Sequence, residues 1–385
     1  MRCTKAVIYS ENLKYNLQQI KNHVKPGTEI CVAVKADSYG HSAVLTAKLA
    51  HELGGINWFA VATVDEGIEL RDSGITENIL VLSLCVPEEF PSLFAYKLTP
   101  FTFGKEYITA LSDAADLYFE DSKKHDVFLA VDTGMGRIGC YPEEAGKQAE
   151  LIRQSKHLTL KGMATHFCVS DGISSDAQDF TRVQYEKFCE AVENVKARGI
   201  NPGICSCGNS AAIMNNYEMD FDMVRPGIIT YGYYPNEVTR DYLHSVHKDF
   251  DIKPVMALET QVVAIRHFPK GKSVSYGRTY ECPEDTDIAI LPIGYADGLL
   301  RRFSPGMEVT INGKKYPVCG RICMDQCMVN IGKDNPDVKL WDRVLIFGPE
   351  ESGALTCAED LAKIGNTISY EVLTSIGKRV KRIIL

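Results

Sequence analysis

The segment Cys31-Val-Ala-Val-Lys-Ala-Asp-Ser-Tyr-Gly-His41 sets Lys35 at the polar end of an apolar run, between Val34 and Ala36. An ammonium is costly to desolvate in such a setting, so its pKa should fall toward the range where the free amine attacks a carbonyl. That is what a Schiff-base lysine requires. A lysine at a strand end ordinarily snorkels into water, and it is the rest of the chain that favours chemistry. Gly134-Met-Gly-Arg-Ile-Gly139 places Arg137 among glycines, so that a planar guanidinium can approach a carboxylate closely. Thr165-His166-Phe ends another apolar run, Asn209-Ser210-Ala opens a helical one, and Val224-Arg225-Pro226-Gly227-Ile228 ends a third. The Ser210 hydroxyl and the backbone amides around Gly227 and Ile228 suit one phosphate-sized anion.

These segments need a frame that brings them to one place. Short apolar runs alternate with amphipathic stretches as far as about residue 230, the pattern of a parallel β/α architecture. The expected strands are Glu29–Ala36, Trp58–Ala62, Ile79–Leu84, Leu98–Phe101, Val127–Asp132, Leu158–Thr165, Gly203–Cys207 and Met223–Ile229, and eight is the number of a closed barrel. Helices are expected over Ser42–Leu53, Val64–Ser73, Gly104–Ala114 and Phe180–Arg198, the last stopped by Gly199 and Pro202. In a parallel barrel the chemical segments converge on one rim.

Beyond Tyr233 the texture changes to runs of strand periodicity with glycine turns, including Val255–Arg266, Ile288–Leu291, Met307–Ile311, Tyr316–Cys319, Met328–Ile331 and Arg343–Phe347. The expectation is an α/β chain with a (β/α)8 TIM-type barrel over residues 1–240 and a mainly-β domain over 241–385. The first strand-like residues are expected to pack with the second domain, and the tail Lys378–Leu385 to form a final strand. No internal repeat is visible.

The 385 residues are 45% hydrophobic and 24% charged, with a net charge of -8, so no cationic surface for nucleic acid or anionic lipid is expected. Neither an apolar leader nor a run long enough to cross a bilayer is visible, and a cytoplasmic protein is expected. Most of the 13 cysteines stand in apolar runs, where a thiol is a small hydrophobe. Cys319, Cys323 and Cys327 match no zinc or cluster spacing, and no metal is expected. The Gly134–Gly139 run has the bare GxGxxG spacing, but Asp132 before it would oppose a pyrophosphate and the next strand ends in Ala-Thr-His rather than in a ribose-binding acid. Gly-Lys-Ser at 271–273 lacks the upstream glycine of a P-loop.

Val274-Ser-Tyr-Gly-Arg-Thr-Tyr280, Pro292-Ile-Gly-Tyr-Ala-Asp-Gly298, Gly320-Arg-Ile-Cys-Met-Asp-Gln326 and Ile368-Ser-Tyr-Glu-Val372 complete the set. Together with the N-terminal segments, and in this order, they resemble the alanine racemase family of fold-type III pyridoxal-phosphate enzymes. The resemblance runs from the N-terminal strand–helix segment to the last strand. It implies pyridoxal 5′-phosphate as cofactor, with Lys35 as its attachment point and as the base on one face of the bound amino acid. Tyr276 would be the base on the other face, since racemisation removes a proton on one side and returns one on the opposite side. A tyrosine titrates near 10, so its phenolate needs donors or positive charge nearby, and the resemblance implies a relay through His166 and Arg225.

Arg225 would also face the pyridine nitrogen, and an arginine that stays protonated leaves that nitrogen unprotonated. Tyr39, Ser210, Gly227, Ile228 and Tyr370 match the family's phosphate-binding positions, and Lys35, His166, Asn209 and Arg225 complete the cofactor set. Arg137 and the Met324 amide would meet the substrate carboxylate, while Tyr295 and Tyr370 would crowd the side-chain pocket. The family builds its site across a head-to-tail homodimer, with the Tyr276 and Met324 regions supplied by the partner.

One position departs from the family. Many members carry a lysine, carbamylated in the folded protein, two residues before the aspartate of Asp132-Thr-Gly-Met-Gly-Arg137, and here that position is Ala130. No carbamylation is expected, and Arg137 is left to a chloride, another carboxylate or water. Two phenols in the pocket favour a methyl side chain, so alanine is the expected substrate, with serine or a broad-specificity racemase as the alternative. A decarboxylase of the same scaffold is disfavoured, because its cysteine-containing and glycine-rich loops are missing and the Ser-Tyr-Gly of Tyr276 is kept.

Overall fold

Eight short strands close into a parallel barrel in the computed structural model, which describes residues 2–120, 122–215, 219 and 221–385. The chain begins with β1 (Lys5–Ile8), and the barrel consists of β2 (Glu29–Ala33), β3 (Trp58–Val61), β4 (Asn78–Val81), β5 (Thr99–Thr102), β6 (His125–Ala130), β7 (Leu158–Ala164), β8 (Ile204–Asn209) and β9 (Met223–Arg225). Closure is made by β9 on β2, with Met223 opposite Glu29 and Val224 opposite Ile30. Alternate side chains fill the interior, where Cys31, Trp58, Ala60, Leu80, Phe101, Phe128, Ala130, Ala164 and Met223 form one apolar cluster. Other buried residues of the strands pack outward against the helices.

The second region carries β10 (Met256–Gln261), β11 (Ala264–Phe268), β12 (Ser273–Val274), β13 (Tyr280–Glu281), β14 (Thr286–Leu291), β15 (Glu308–Ile311), β16 (Lys314–Pro317), β17 (Cys327–Gly332), β18 (Arg343–Phe347) and β19 (Lys381–Ile384). The largest sheet runs β16-β15-β18-β10-β1-β19. Both chain ends are built into it: β1 pairs antiparallel with β10 and parallel with β19. A three-stranded sheet β11-β14-β17 and the β12-β13 hairpin complete the region.

Several expected boundaries move for identifiable reasons. Glu29–Ala36 is strand only to Ala33, because Ala36 to Tyr39 form a left-handed turn. Met223–Ile229 stops at Arg225: Pro226 has no N–H to extend the ladder, and a 3₁₀ turn over Ile228–Tyr231 follows. Val255–Arg266 is two strands, β10 and β11, which join different sheets. The helix expected over Phe180–Arg198 starts at Ser175, where the Ser174 hydroxyl accepts from the Ala177 N–H at 3.2 Å, and ends at Lys196. The second region also contains short helices, Ala358–Ile364 and Ser369–Thr374, which strand periodicity did not reveal.

Two buried histidines impose a pH dependence on the fold. Burial pushes His41 and His125 down to about 4, whereas an unfolded histidine titrates near 6.5. Between those values the unfolded chain binds more protons, so stability is fully present above about pH 6.5 and is lost as the pH falls toward 4. Scanning calorimetry should give a Tm a few degrees lower at pH 5 than at pH 7, with a smaller difference in His125→Gln. An unchanged acid limb in that variant would count against the assignment.

Candidate active site

The C-terminal ends of the barrel strands open into a cavity of about 660 Å³. Lys35, Tyr39, Arg137, His166, Asn209, Ser210, Arg225, Gly227, Ile228 and Tyr370 all line it, so ten of the thirteen expected site residues share one wall. Ala33, Leu82, Phe101, Ala130 and Ala164 give that wall an apolar part.

Lys35 stands two positions past the end of β2, after Val34, and begins an unusual turn. Ala36, Asp37, Ser38 and Tyr39 have φ between 51° and 55°, and Gly40 follows at 83°. A left-handed residue other than glycine costs roughly 1–2 kcal/mol, so the turn must be held by its surroundings. Asp37 Oδ1 accepts from the Ala43 N–H at 2.8 Å, and Glu66 Oε1 accepts from the Ala36 N–H at 2.7 Å. The ring Nδ1 of His41 lies 3.0 Å from the carbonyls of Ser38 and Tyr39. Gly40 is required as well, since a Cβ there would meet the Leu373 carbonyl oxygen at 2.6 Å.

The Lys35 amine is held below its usual pKa by burial and by the Arg137 guanidinium, with Arg225 adding to the effect and the Glu66 carboxylate opposing it. Glu66 was not among the expected site residues, although Thr63-Val-Asp-Glu66 carries the Thr-x-x-Glu signature of a capping box. Its carboxylate serves that box and also reaches the Lys35 turn.

The same cavity holds a cradle of small donors. The Ser210 hydroxyl accepts from the Gly227 N–H at 2.8 Å. A Cβ on Gly227 would sit 2.7 Å from the Tyr39 hydroxyl and 3.7 Å from Ser210 Oγ, so glycine keeps the space open. Burial pushes the Tyr39 phenol up to about 12, which keeps it a donor at neutral pH. Tyr370 packs on Tyr39 with ring centroids 5.9 Å apart, and burial raises its pKa as well. This donor set, with a lysine lining the same cavity, fits a phosphorylated aldehyde such as pyridoxal phosphate. Asn209 stands on the wall, but its side chain is engaged: Oδ1 accepts from Ser170 Oγ at 2.8 Å and Nδ2 donates to the Phe167 carbonyl at 3.2 Å.

Arg225 is buried and fixed, donating to the Ser206 hydroxyl and, at 2.6 Å, to the Thr165 carbonyl. His166, half-buried beside it, is pushed down to about 3 by burial and by Arg225, Arg137 and Lys35, and is therefore neutral at physiological pH. Arg137 rides on the loop after β6, where Asp132 Oδ1 accepts from the Gly134 and Gly136 N–H groups at 2.9 and 3.1 Å. Its guanidinium is exposed and makes no hydrogen bond or ion pair among the described residues. Ala130 is buried at the end of β6, among apolar neighbours.

Tyr276, Tyr295 and Met324 do not reach this cavity. They lie on adjoining loops of the second region and are 68%, 42% and 53% exposed. The loops are stitched together: Ser275 Oγ donates to the Arg321 carbonyl at 2.6 Å, and the Tyr295 and Ala296 N–H groups donate to the Cys323 and Met324 carbonyls at 3.0 Å. Fully buried Asp297 anchors them, accepting from both terminal nitrogens of Arg2, from Arg379 Nε at 2.6 Å and from the Gly294 N–H at 2.9 Å. Burial opposes its ionisation, but the two guanidiniums hold its carboxyl below the usual range. Arg379 also reaches Asp325 at 2.7 Å.

The likeness to known proteins covers the whole chain. Residues 8–235 match the family model for the alanine racemase N-terminal domain, and residues 255–384 match that for the C-terminal domain. An alanine racemase of Treponema denticola is 45% identical over 387 residues, covering 100% of this chain and 99% of the relative. Alanine racemase 1 of Clostridium acetobutylicum is 41% identical, covering 98% and 94%. Among solved structures, the alanine racemase of Clostridium difficile superposes with a TM-score of 0.91 at 37% identity, covering 100% of this chain and 96% of that one. The Bacillus anthracis alanine racemase with bound L-Ala-P gives 0.90 at 33% identity, covering 100% and 95%. With both domain models matched in order along one barrel and its β-rich partner, the chain belongs to the alanine racemase family.

Proposed function

We propose that the chain is a pyridoxal-phosphate-dependent alanine racemase that interconverts L- and D-alanine as a homodimer with shared active sites. The observation that carries this reading is the division of the site. Lys35, the phosphate-sized cradle and two guanidiniums line the barrel cavity, while Tyr276, Tyr295 and Met324 stand exposed on anchored loops elsewhere. A second copy presenting those loops to the cavity would complete the set.

When bound, pyridoxal phosphate supplies the electron sink that makes the α-hydrogen of an amino acid acidic. Tyr39, Ser210 and the Gly227 and Ile228 amides would hold its phosphate, and Tyr370 would pack beside them. Lys35 holds the attachment point, and its depressed pKa leaves a fraction of free amine able to attack a carbonyl or take a proton. Arg225 is anchored and permanently protonated, so it offers N–H groups to a basic ring nitrogen and takes no proton from it.

Tyr276 of the partner copy would hold or release the proton on the opposite face. His166, kept neutral by burial and by Arg225, would hydrogen-bond toward that phenol, while the positive charge that favours phenolate comes from the guanidiniums. Arg137 and the Met324 amide would take the substrate carboxylate. The absence of a carboxylate partner at Ala130 leaves Arg137 free to receive an anion. Tyr295 and Tyr370 would restrict the side chain, although a pocket that excludes a hydroxyl only by apolar contact discriminates by about 10²-fold, so slow serine turnover is expected.

No helix among the described residues is long and apolar enough to cross a membrane. D-alanine made in the cytoplasm for peptidoglycan fits this reading. The test is to reconstitute the protein with pyridoxal phosphate, supply L- and D-alanine separately, and follow both enantiomers by chiral chromatography. Equal mixtures from both starting points are expected. Inversion of serine or a basic amino acid without alanine, or release of carbon dioxide, would overturn the reading.

A further inference from the structure

Gln184 sits in the middle of the helix Ser175–Lys196 and is fully buried. A buried amide is costly unless its donors and acceptor are met, and here they are met entirely by the active-site loops. Nε2 donates to Thr133 Oγ1 and to the His166 carbonyl, each at 3.2 Å. Oε1 accepts from the Cys168 N–H at 3.0 Å, with the Cys168 thiol at 3.3 Å. Thr133 begins the loop that carries Arg137, and its hydroxyl bonds that of Thr165 at 2.8 Å. The Thr165 carbonyl in turn accepts from Arg225.

One side chain therefore ties the Arg137 loop to the segment of His166 and Cys168. The loop also rests on the same helix, since a Cβ on Gly134 would meet the Phe180 ring at 3.0 Å and Gln184 Cγ at 3.5 Å. Helix-on-barrel packing alone needs no amide at this position; a leucine would serve it without the desolvation cost.

We infer that Gln184 is a positioning residue that sets the Arg137 loop against the His166 segment, and so fixes where the substrate carboxylate is held. The inference rests on the reading of Arg137 as the carboxylate site. It is tested with the holoenzyme of Gln184→Leu, and with Thr133→Val, which removes the loop partner without touching the helix. The KM and kcat for alanine are measured together with the inhibition constant of propionate, an alanine without its amine.

Loss of one or two neutral hydrogen bonds should raise KM and the propionate constant about 10-fold, with kcat changing much less. A lower Tm with both constants unchanged would make Gln184 purely structural and overturn the inference. Arg137→Lys separates the two levels of the reading. If it raises KM while Gln184→Leu and Thr133→Val do not, the positioning role alone fails. If Arg137→Lys leaves KM unchanged, the carboxylate reading fails and the inference with it.

Discussion

Lys35→Ala is expected to abolish alanine racemisation, with a loss of at least about 10⁴-fold, because in the proposed reading it removes both the attachment point and one of the two proton-transfer groups. The loss should not come from unfolding. Lys35 is partly enclosed and faces Arg137 and Arg225, so its ammonium is repelled by both, with the Glu66 carboxylate attracting it. Deleting that charge relieves repulsion, and the Tm of the cofactor-free variant should equal or exceed that of the cofactor-free parent. The alanine leaves a gap of lysine shape, so added methylamine should restore part of the activity, more strongly at alkaline pH where the free base is present. Full activity in Lys35→Ala would remove the lysine from the chemistry, and a variant that fails to fold would contradict the charge argument for its stability.

Tyr276→Phe is expected to give the second large effect, a fall of roughly 10²–10⁴-fold. The two enantiomers have equal free energy, so the forward and reverse rates must fall together. The two half-reactions need not. With Lys35 intact, one enantiomer should still exchange its α-hydrogen for deuterium in heavy water without inverting, while the other exchanges far more slowly. Proton NMR of each enantiomer separately reads this directly. Equal loss of exchange from both enantiomers would show that Tyr276 acts on a step common to both rather than on one face. Tyr276 is exposed on its own chain, and a removed surface hydroxyl changes stability little, so the Tm of the variant should match that of the parent.

Much of the barrel was legible because its strands are buried on both faces and read as continuous apolar runs, and because their ends carry the polar residues. Lys35, His166 and Arg225 could be placed on one rim from that pattern alone. The Lys35 turn could not. Four successive left-handed residues, Ala36 to Tyr39, contradict local preference and exist only because Glu66, Asp37, His41 and Gly40 hold them, contacts that no short-range pattern announces. Gln184 was invisible for a related reason: a glutamine inside an amphipathic helix reads as surface, and only the packed structure shows it buried against two active-site segments. The helix Ser369–Thr374, which presents Tyr370 to the cavity, is too short for helical periodicity to declare itself. The grouping of Tyr276, Tyr295 and Met324 depends on loop-to-loop bonds and on the Asp297 anchor, which join segments far apart in sequence.

In the proposed dimer, Lys35 and Tyr276 of two different copies work on one substrate, and subunit exchange between the two inactive variants tests that division. Lys35→Ala and Tyr276→Phe proteins are mixed, dissociated under mild conditions, reassociated and assayed with L-alanine. Each hybrid dimer would carry one site with both defects and one with neither, so random reassociation should recover about one quarter of the parental activity. If the mixture stays as inactive as its components while hybrid dimers are demonstrably formed, the two residues belong to the same copy or to different steps, and the shared site is contradicted.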